Sequence, residues 1–86
     1  MKKIEKTLKA LGNINRLKIL LFLKKNKFSS VTNIAECTKC SYKATSKHLA
    51  ILFQNDIVER EQVVYEMHYK LSTNLDHLTE SILKLL

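Results

Sequence analysis

The 86-residue sequence carries a formal net charge of +7, with 45% hydrophobic residues, one glycine and no proline. This composition indicates one small, helix-rich domain covering residues 1–86 and excludes a disordered chain. The longest apolar run, Ile19 to Leu23, is too short to cross a membrane, and the lysine-rich start has no signal-peptide core, so we expect a cytoplasmic protein without a membrane partner.

The charge is unevenly distributed along the chain. Residues 1–55 hold twelve of the fifteen lysines and arginines and only two acids, whereas residues 56–86 hold three bases and six acids. On charge alone, a solvated lysine-rich face and a nucleic-acid-binding surface explain this distribution equally well.

The chain begins with a predicted basic helix, Lys2 to Leu11, that has only a narrow apolar stripe formed by Ile4, Leu8 and Leu11. So thin a stripe does not hold a helix alone, and we expect it to pack on a partner helix. Gly12 is a suitable residue to end this helix.

A second helix is predicted from Asn13, its cap, to about Lys25. It is apolar over most of its circumference, so we expect it to be the central core helix.

The segment from Ser30 to Leu52 has the pattern of two short helices joined by a tight turn at residues 38–40. Ser41 is well placed to cap the second of these helices. The spacing of four and three residues puts Thr45, Leu49 and Leu52 on one face.

The opposite face of this helix carries Lys43, Lys47 and Ala50, with Ser46 on the flank. A helix that buries one side, offers lysine and serine on the other, and begins without acids suits the DNA major groove. The segment therefore predicts a helix-turn-helix.

After residue 56 the apolar periodicity changes from 3.6 to 2. Residues 65–71 alternate as a half-buried strand, and Ile57 to Glu61 is a suitable antiparallel partner, with Gln62 to Val64 as the turn. His68 falls on the polar face of this hairpin, where we expect it to be solvated.

A last helix is predicted from Asn74, with apolar residues spaced three, four and three apart as in a heptad seam. Those residues are Leu75, Leu78, Ile82 and Leu85. The predicted fold is mainly α with a small β-hairpin, in the order α-α-α-α-β-β-α.

From about Leu8 to the end, the chain resembles winged-helix transcriptional repressors of the arsenic-repressor (ArsR) type. Three stretches carry the likeness: A-L-G-N-I-N-R-L-K-I-L with Arg16, the S-x-x-x-x-S-K-H-L pattern of Ser41 to Leu49, and H-Y-K-L-S from His68. The chain departs from the family where Asn13-Ile14 replaces Asp-Pro, and where Lys39 and Val63-Val64 replace turn glycines.

The resemblance implies a sequence-specific, double-stranded DNA-binding regulator, expected to be a homodimeric repressor of an inverted-repeat operator. We expect Lys43, Lys47 and Arg60 to contact phosphates. We expect Tyr42, Lys43 and Ser46 to contact base edges. Ser41 lies at the start of the same helix, among the residues expected to bind DNA. His48 contacts phosphate or packs between helices; both alternatives stay open.

The dimer is expected to form through the first and last helices, because their narrow stripes have no other evident partner. The residues expected at this interface are Ile4, Leu8, Leu11, Leu75, Leu78, Ile82 and Leu85.

Cys37 and Cys40 form a C-x-x-C motif with two interpretations. Metal-binding family members carry cysteines at positions that here correspond to Ser30, Val31 and Thr32, so we expect no metal site and no cofactor. We expect both thiols to be reduced and largely buried as packing residues; a thiol- or metal-responsive switch is the alternative.

Asp76-His77 lies where other family members hold metal ligands on the last helix. We expect this pair to be a surface polar pair.

An enzyme is not expected, since a chain with one glycine has no phosphate-cradling loop and no nucleophile–base pair is evident. The alternative from another class is a winged-helix protein–protein interaction module without DNA binding. The salt dependence of DNA binding separates the two.

Overall fold

All 86 residues are described by the computed structural model, which contains five helices and a three-stranded antiparallel sheet. The elements in chain order are α1 (Lys2–Leu11), α2 (Ile14–Asn26), β1 (Ser29–Ser30), α3 (Val31–Thr38), α4 (Tyr42–Gln54), β2 (Val58–Val63), β3 (Glu66–Leu71) and α5 (His77–Leu85). The predicted winged helix-turn-helix is confirmed, with β1 as an element that was not expected.

Short-range hydrogen bonds define the junction between α1 and α2. The side chain of Asn13 accepts from the backbone N–H groups of Asn15 and Arg16, at 3.0 and 3.2 Å, which confirms it as the cap of α2. Gly12 ends α1 at a φ of −80° rather than in the left-handed region. A Cβ there would lie 3.1 Å from the Leu8 carbonyl oxygen, so close approach rather than backbone freedom favours glycine.

The core is one cluster of buried apolar residues built around α2, as expected for the central helix. Ile19, Leu20 and Leu23 on its inner face are almost completely buried. The cluster comprises Ala10, Leu11, Ile19, Leu20, Leu23, Val31, Ile34, Leu49, Leu52, Ile57, Val58, Tyr69 and Leu83.

Leu11 corrects one expectation about the dimer stripe. It is buried in the core of its own chain and is only 4% exposed, so it has almost no surface left for a partner. The chain turns inward at the end of α1 to enter α2, which takes Leu11 into the core. Ile4 and Leu8 remain half exposed on the same helix.

The last helix starts later than predicted. Asp76, not Asn74, is the cap: its carboxylate accepts from the Thr79 N–H at 2.8 Å, and the helix begins at His77. Leu75 therefore precedes the helix. Both Leu75 and Ile82, which lies within α5, pack against the core of the chain, so the predicted heptad seam is not continuous. Leu83, which lies outside that seam, is the buried leucine of α5.

The sheet has the order β1-β3-β2, with β3 in the centre. Ser29 and Ser30, for which no strand was predicted, pair with Tyr69 and His68 of β3. A pair of serines has no apolar pattern, so this pairing depends on the packing of α2 against the hairpin.

The wing turn also differs from the prediction. Val63 still pairs with Glu66, so the turn is the two-residue Val64-Tyr65 rather than 62–64. Tyr65 is 96% exposed instead of half-buried. Val64 has a φ of 58°, as a two-residue hairpin turn requires, although a β-branched residue is rarely found there.

Candidate nucleic-acid interface

The turn before the recognition helix α4 is closed by two backbone hydrogen bonds. The Lys39 N–H donates to the Glu36 carbonyl at 3.3 Å, and the Cys40 N–H donates to the Ala35 carbonyl at 3.0 Å. This pattern is the Schellman motif, whose central residue must be left-handed, and Lys39 has φ 58° and ψ 40°. The lysine thus occupies the conformation for which related turns use glycine.

The start of α4 is capped by Ser41, as predicted. Its hydroxyl accepts from the Ala44 N–H at 3.1 Å, and no acidic residue lies in the first turn. The partial positive charge of the helix N-terminus is therefore not neutralised by the chain itself, which favours an approaching phosphate.

The two faces of α4 are separated as the periodicity predicts. Thr45, Leu49 and Leu52 are buried, which confirms the core face. Tyr42, at 55% exposure, lies on the outer surface with Lys43 and Lys47. Ser41 is exposed too, while Ser46 and His48 are partly buried.

His48 contacts Arg16 of α2. The Arg16 Nη1 lies 3.3 Å from His48 Nδ1, while its Nε and Nη2 donate to the carbonyls of Ala10 and Lys9 at 2.6 and 3.2 Å. Desolvation lowers the pKa of His48, and the positive charges of Arg16 and Lys47 lower it further. The Nδ1 atom is thus used in packing between helices, and Nε2 is the atom left for a phosphate.

Arg16 was noted in the sequence only as part of a motif, and its bridging role was missed. It connects the C-terminal carbonyls of α1 to the recognition helix. The pairing with His48 spans 32 positions in sequence, so no local pattern could have indicated it.

Arg60 lies on β2 with its guanidinium carbon 3.9 Å from the centroid of the Phe53 ring. This cation–π contact fixes Arg60 against the last turn of α4. Arg60 remains exposed, and the contact orients a side chain that was predicted to reach phosphate.

The wing is tied to the helix-turn-helix by Glu66, a second residue that the sequence did not single out. Its carboxylate accepts from the backbone N–H of Thr32 at 3.0 Å and from the Thr32 hydroxyl. The hydroxyl hydrogen bond, followed by the backbone one, lowers the pKa of Glu66. The Glu66 carboxylate thus lies at the N-terminus of α3, and these hydrogen bonds hold the first residue of β3 in place.

His68 is less solvated than expected. It is partly buried, and its ring centroid lies 5.1 Å from that of Phe28. The neighbouring β1–β3 pairing brings the two rings together.

The cysteine expectation is corrected in part. Cys40 is half-buried, but Cys37 is exposed, with its sulfur 3.9 Å from the Asn33 side-chain oxygen. Cys37 lies on the outer side of α3, one position from the helix end. No group of three or more His, Cys, Asp or Glu side chains is close enough together to hold a metal ion.

The predicted dimer residues divide into three classes. Ile4, Leu8 and Leu85 are exposed. Leu75, Leu78 and Ile82 are partly buried within the chain, and Leu11 is fully buried there. The apolar surface left open on α1 and α5 is therefore smaller than the sequence indicated.

Comparison with known proteins identifies the family. The sequence profile described as "Bacterial regulatory protein, arsR family" matches residues 13–60, more than half of the chain. A search of curated proteins finds no significant sequence match.

Several solved structures share the fold. Reduced HlyU from Vibrio cholerae is 29% identical, with a TM-score of 0.82 over 99% of this chain and 85% of that one. HlyU from Vibrio vulnificus is 30% identical, with a TM-score of 0.78 over 98% and 83%. The transcriptional repressor PagR of Bacillus anthracis is 27% identical, with a TM-score of 0.79 over 98% and 92%.

Three observations now agree. The fold is a winged helix-turn-helix, the recognition helix offers an acid-free N-terminus, and the profile match covers the helix-turn-helix itself. None of the helices has the length and apolarity that a bilayer span demands.

The family and fold are those of regulators and not of enzymes. The chain belongs to the arsR family of bacterial regulatory proteins and is a DNA-binding transcriptional regulator.

Proposed function

We propose that the protein is a homodimeric repressor that inserts α4 into the major groove of an inverted-repeat operator. The observation that carries this proposal is the outer face of α4, where Tyr42, Lys43 and Lys47 are exposed beside a helix start without acids. The similarity to PagR, a transcriptional repressor, supports the direction of regulation.

The contacts divide between phosphates and bases. Lys43 and Lys47 neutralise phosphates, together with Arg60, which is steadied by Phe53. Tyr42 and Ser46 meet base edges with Lys43. Ser41 at the start of α4 and the Nε2 atom of His48, two turns further along, add phosphate contacts.

The dimer forms through the apolar surface of α1 and α5 that the fold leaves open. Ile4 and Leu8 on α1 and Leu85 on α5 supply its exposed part, and Leu78 on α5 is partly buried. Twofold symmetry then requires half-sites whose centres are about 10 bp, or a multiple, apart.

Salt-dependent DNA binding tests the contact surface. Lys43→Ala/Lys47→Ala is expected to lower the slope of log affinity against log salt by about two units, since each lost phosphate contact removes roughly 0.9. The matched control is Lys2→Ala/Lys6→Ala, which removes two exposed lysines of α1. Equal slopes for wild type and the α4 variant contradict the assignment, and weak, salt-independent binding by wild type favours the protein-interaction alternative.

Sedimentation tests the dimer. Leu8→Glu, at a half-exposed position outside the core, is expected to convert a dimer into a folded monomer, and Leu78→Glu to do the same or to unfold the chain. Tyr65→Glu at the wing tip is the control and should stay dimeric. A wild-type chain that is monomeric at micromolar concentration disproves the proposed assembly.

A further inference from the structure

An open cleft lies between one face of α2 and the C-terminal end of α3, and the DNA-binding surface proposed above does not use it. Its volume is about 430 Å³, within the range of small-molecule sites. Lys18 and Lys25 line it from α2, while Cys37 and Lys39 line it from α3 and its cap.

Three lysines line this cleft, and no carboxylate lies among its lining residues. Lys18, Lys25 and Lys39 are exposed, and none of them forms an ion pair. Several lysines around one cleft raise the local concentration of anions, and a concave wall strengthens the effect by displacing water. The charge of the cleft therefore complements an anion.

Part of the cleft lining is apolar. Leu21 and Phe22, which lie between the two lysines in the sequence of α2, are only partly buried by the rest of the chain, and Asn15, Asn26 and Thr38 are its uncharged polar residues. A DNA backbone phosphate needs neither a concave surface nor an apolar wall. An organic anion uses both, because its apolar body covers the leucine and phenylalanine while its charged groups meet the lysines.

We propose that this cleft binds an organic anion with an apolar body, and that its occupancy weakens DNA binding. The second half rests on the proposed function. Lys39 is the left-handed residue of the turn before α4 and lies two positions before the cap Ser41. A bound anion neutralises positive charge beside the recognition helix and engages the turn that sets its start.

Cys37 gives the cleft a built-in reporter. Its thiol is exposed and lines the cleft, so a bound ligand shields it from a neutral alkylating reagent such as iodoacetamide. A Cys40→Ala background leaves Cys37 as the single thiol. Shielding of Cys37 distinguishes binding in the cleft from binding at the open apolar surface of α1 and α5.

The binding half of the proposal is tested without DNA, with anilinonaphthalene sulfonate, an aromatic anion, as the probe, and the regulatory half is tested by DNA affinity with and without this probe. Its fluorescence titration and its protection of Cys37 are expected to give the same Kd. Lys18→Gln/Lys25→Gln should weaken both by about five- to tenfold, as expected for the loss of two exposed charge contacts. Lys2→Gln/Lys6→Gln, the matched charge change on α1, should leave both unchanged.

Several outcomes overturn the proposal. Fluorescence without protection of Cys37 places the probe elsewhere, and equal affinity in both lysine variants shows that the cleft charge does not recognise it. If Lys18→Gln/Lys25→Gln lowers the salt slope of DNA binding but not the probe affinity, the lysines belong to the DNA surface. Probe binding that leaves wild-type DNA affinity unchanged refutes the regulatory half alone, and failure of wild type to bind DNA refutes the proposed function instead.

Discussion

The guanidinium of Arg16 donates to Nδ1 of His48, with 3.3 Å between the nitrogens. A guanidinium has no acceptor, so Nδ1 must be the acceptor, and the neutral imidazole carries its proton on Nε2. The same guanidinium donates hydrogen bonds to the carbonyl oxygens of Lys9 and Ala10 at the end of α1. One side chain thus links a helix of the proposed dimer surface to the DNA-reading helix.

Replacing Arg16 by alanine is expected to destabilise the protein by about 1–2 kcal/mol, because three hydrogen bonds from a partly exposed charged group are lost. Arg16→Lys should recover only part of this, since an ammonium lacks the planar fork. Urea unfolding at matched protein concentration measures both. Lys18→Ala, two positions along α2 and exposed, serves as the control and should be nearly neutral.

The lowered pKa of His48 predicts a stability loss in acid. The folded state favours the neutral ring, so the contribution of His48 to stability is complete above the ordinary pKa of 6.5 and is lost as the pH falls through the lower folded pKa. His48→Gln keeps an acceptor but does not titrate, so its stability should fall less than that of wild type between neutral pH and pH 5. An NMR titration that gives His48 a pKa at or above 6.5 contradicts this account.

Two substitutions at Ser41 separate folding from DNA contact. Ser41→Ala removes the cap hydrogen bond to the Ala44 N–H and should cost about 1 kcal/mol of stability. Ser41→Asp retains a capping acceptor and complements the helix dipole, so stability is kept. Its negative charge should nevertheless weaken DNA binding, and wild-type affinity for Ser41→Asp would show that this helix end does not approach phosphate.

Thr45→Val is expected to stabilise the recognition helix. The Thr45 hydroxyl is completely buried and has no hydrogen-bond partner, so an isosteric methyl group removes an uncompensated polar atom. The gain should be about 1 kcal/mol by thermal or urea unfolding. Thr38→Val is the matched comparison and should lose stability, because the Thr38 hydroxyl donates to the Ile34 carbonyl at 2.7 Å.

Val64→Gly should also stabilise the chain, by up to about 1 kcal/mol, since a left-handed β-branched residue costs more than the added chain entropy of glycine. Val63→Gly, next to it but inside β2, should have the opposite effect because Val63 is paired with Glu66. A destabilised Val64→Gly protein would show that the turn does not strain its valine. Unfolding measurements on both variants decide the matter.

Features that depend on near neighbours were readable in the sequence. The caps Asn13 and Ser41 bond to N–H groups two or three residues ahead, and the buried face of α4 follows from helix periodicity at Thr45, Leu49 and Leu52. The alternation of β3 likewise indicated a hairpin. The start of α5 was predicted wrongly, because Asp76 rather than Asn74 caps this helix, and Leu75 between them packs on the core.

Other features were decided only by tertiary packing. Ser29 and Ser30 form a strand because β3 lies beside them, Leu11 turns into the core rather than toward a partner, and Arg16 meets His48 across 32 positions. Hydrogen bonds within one helical turn are available to the chain wherever that helix forms. Contacts between distant faces exist only after all the helices have packed, because burial of the shared core determines which surfaces meet and which remain open.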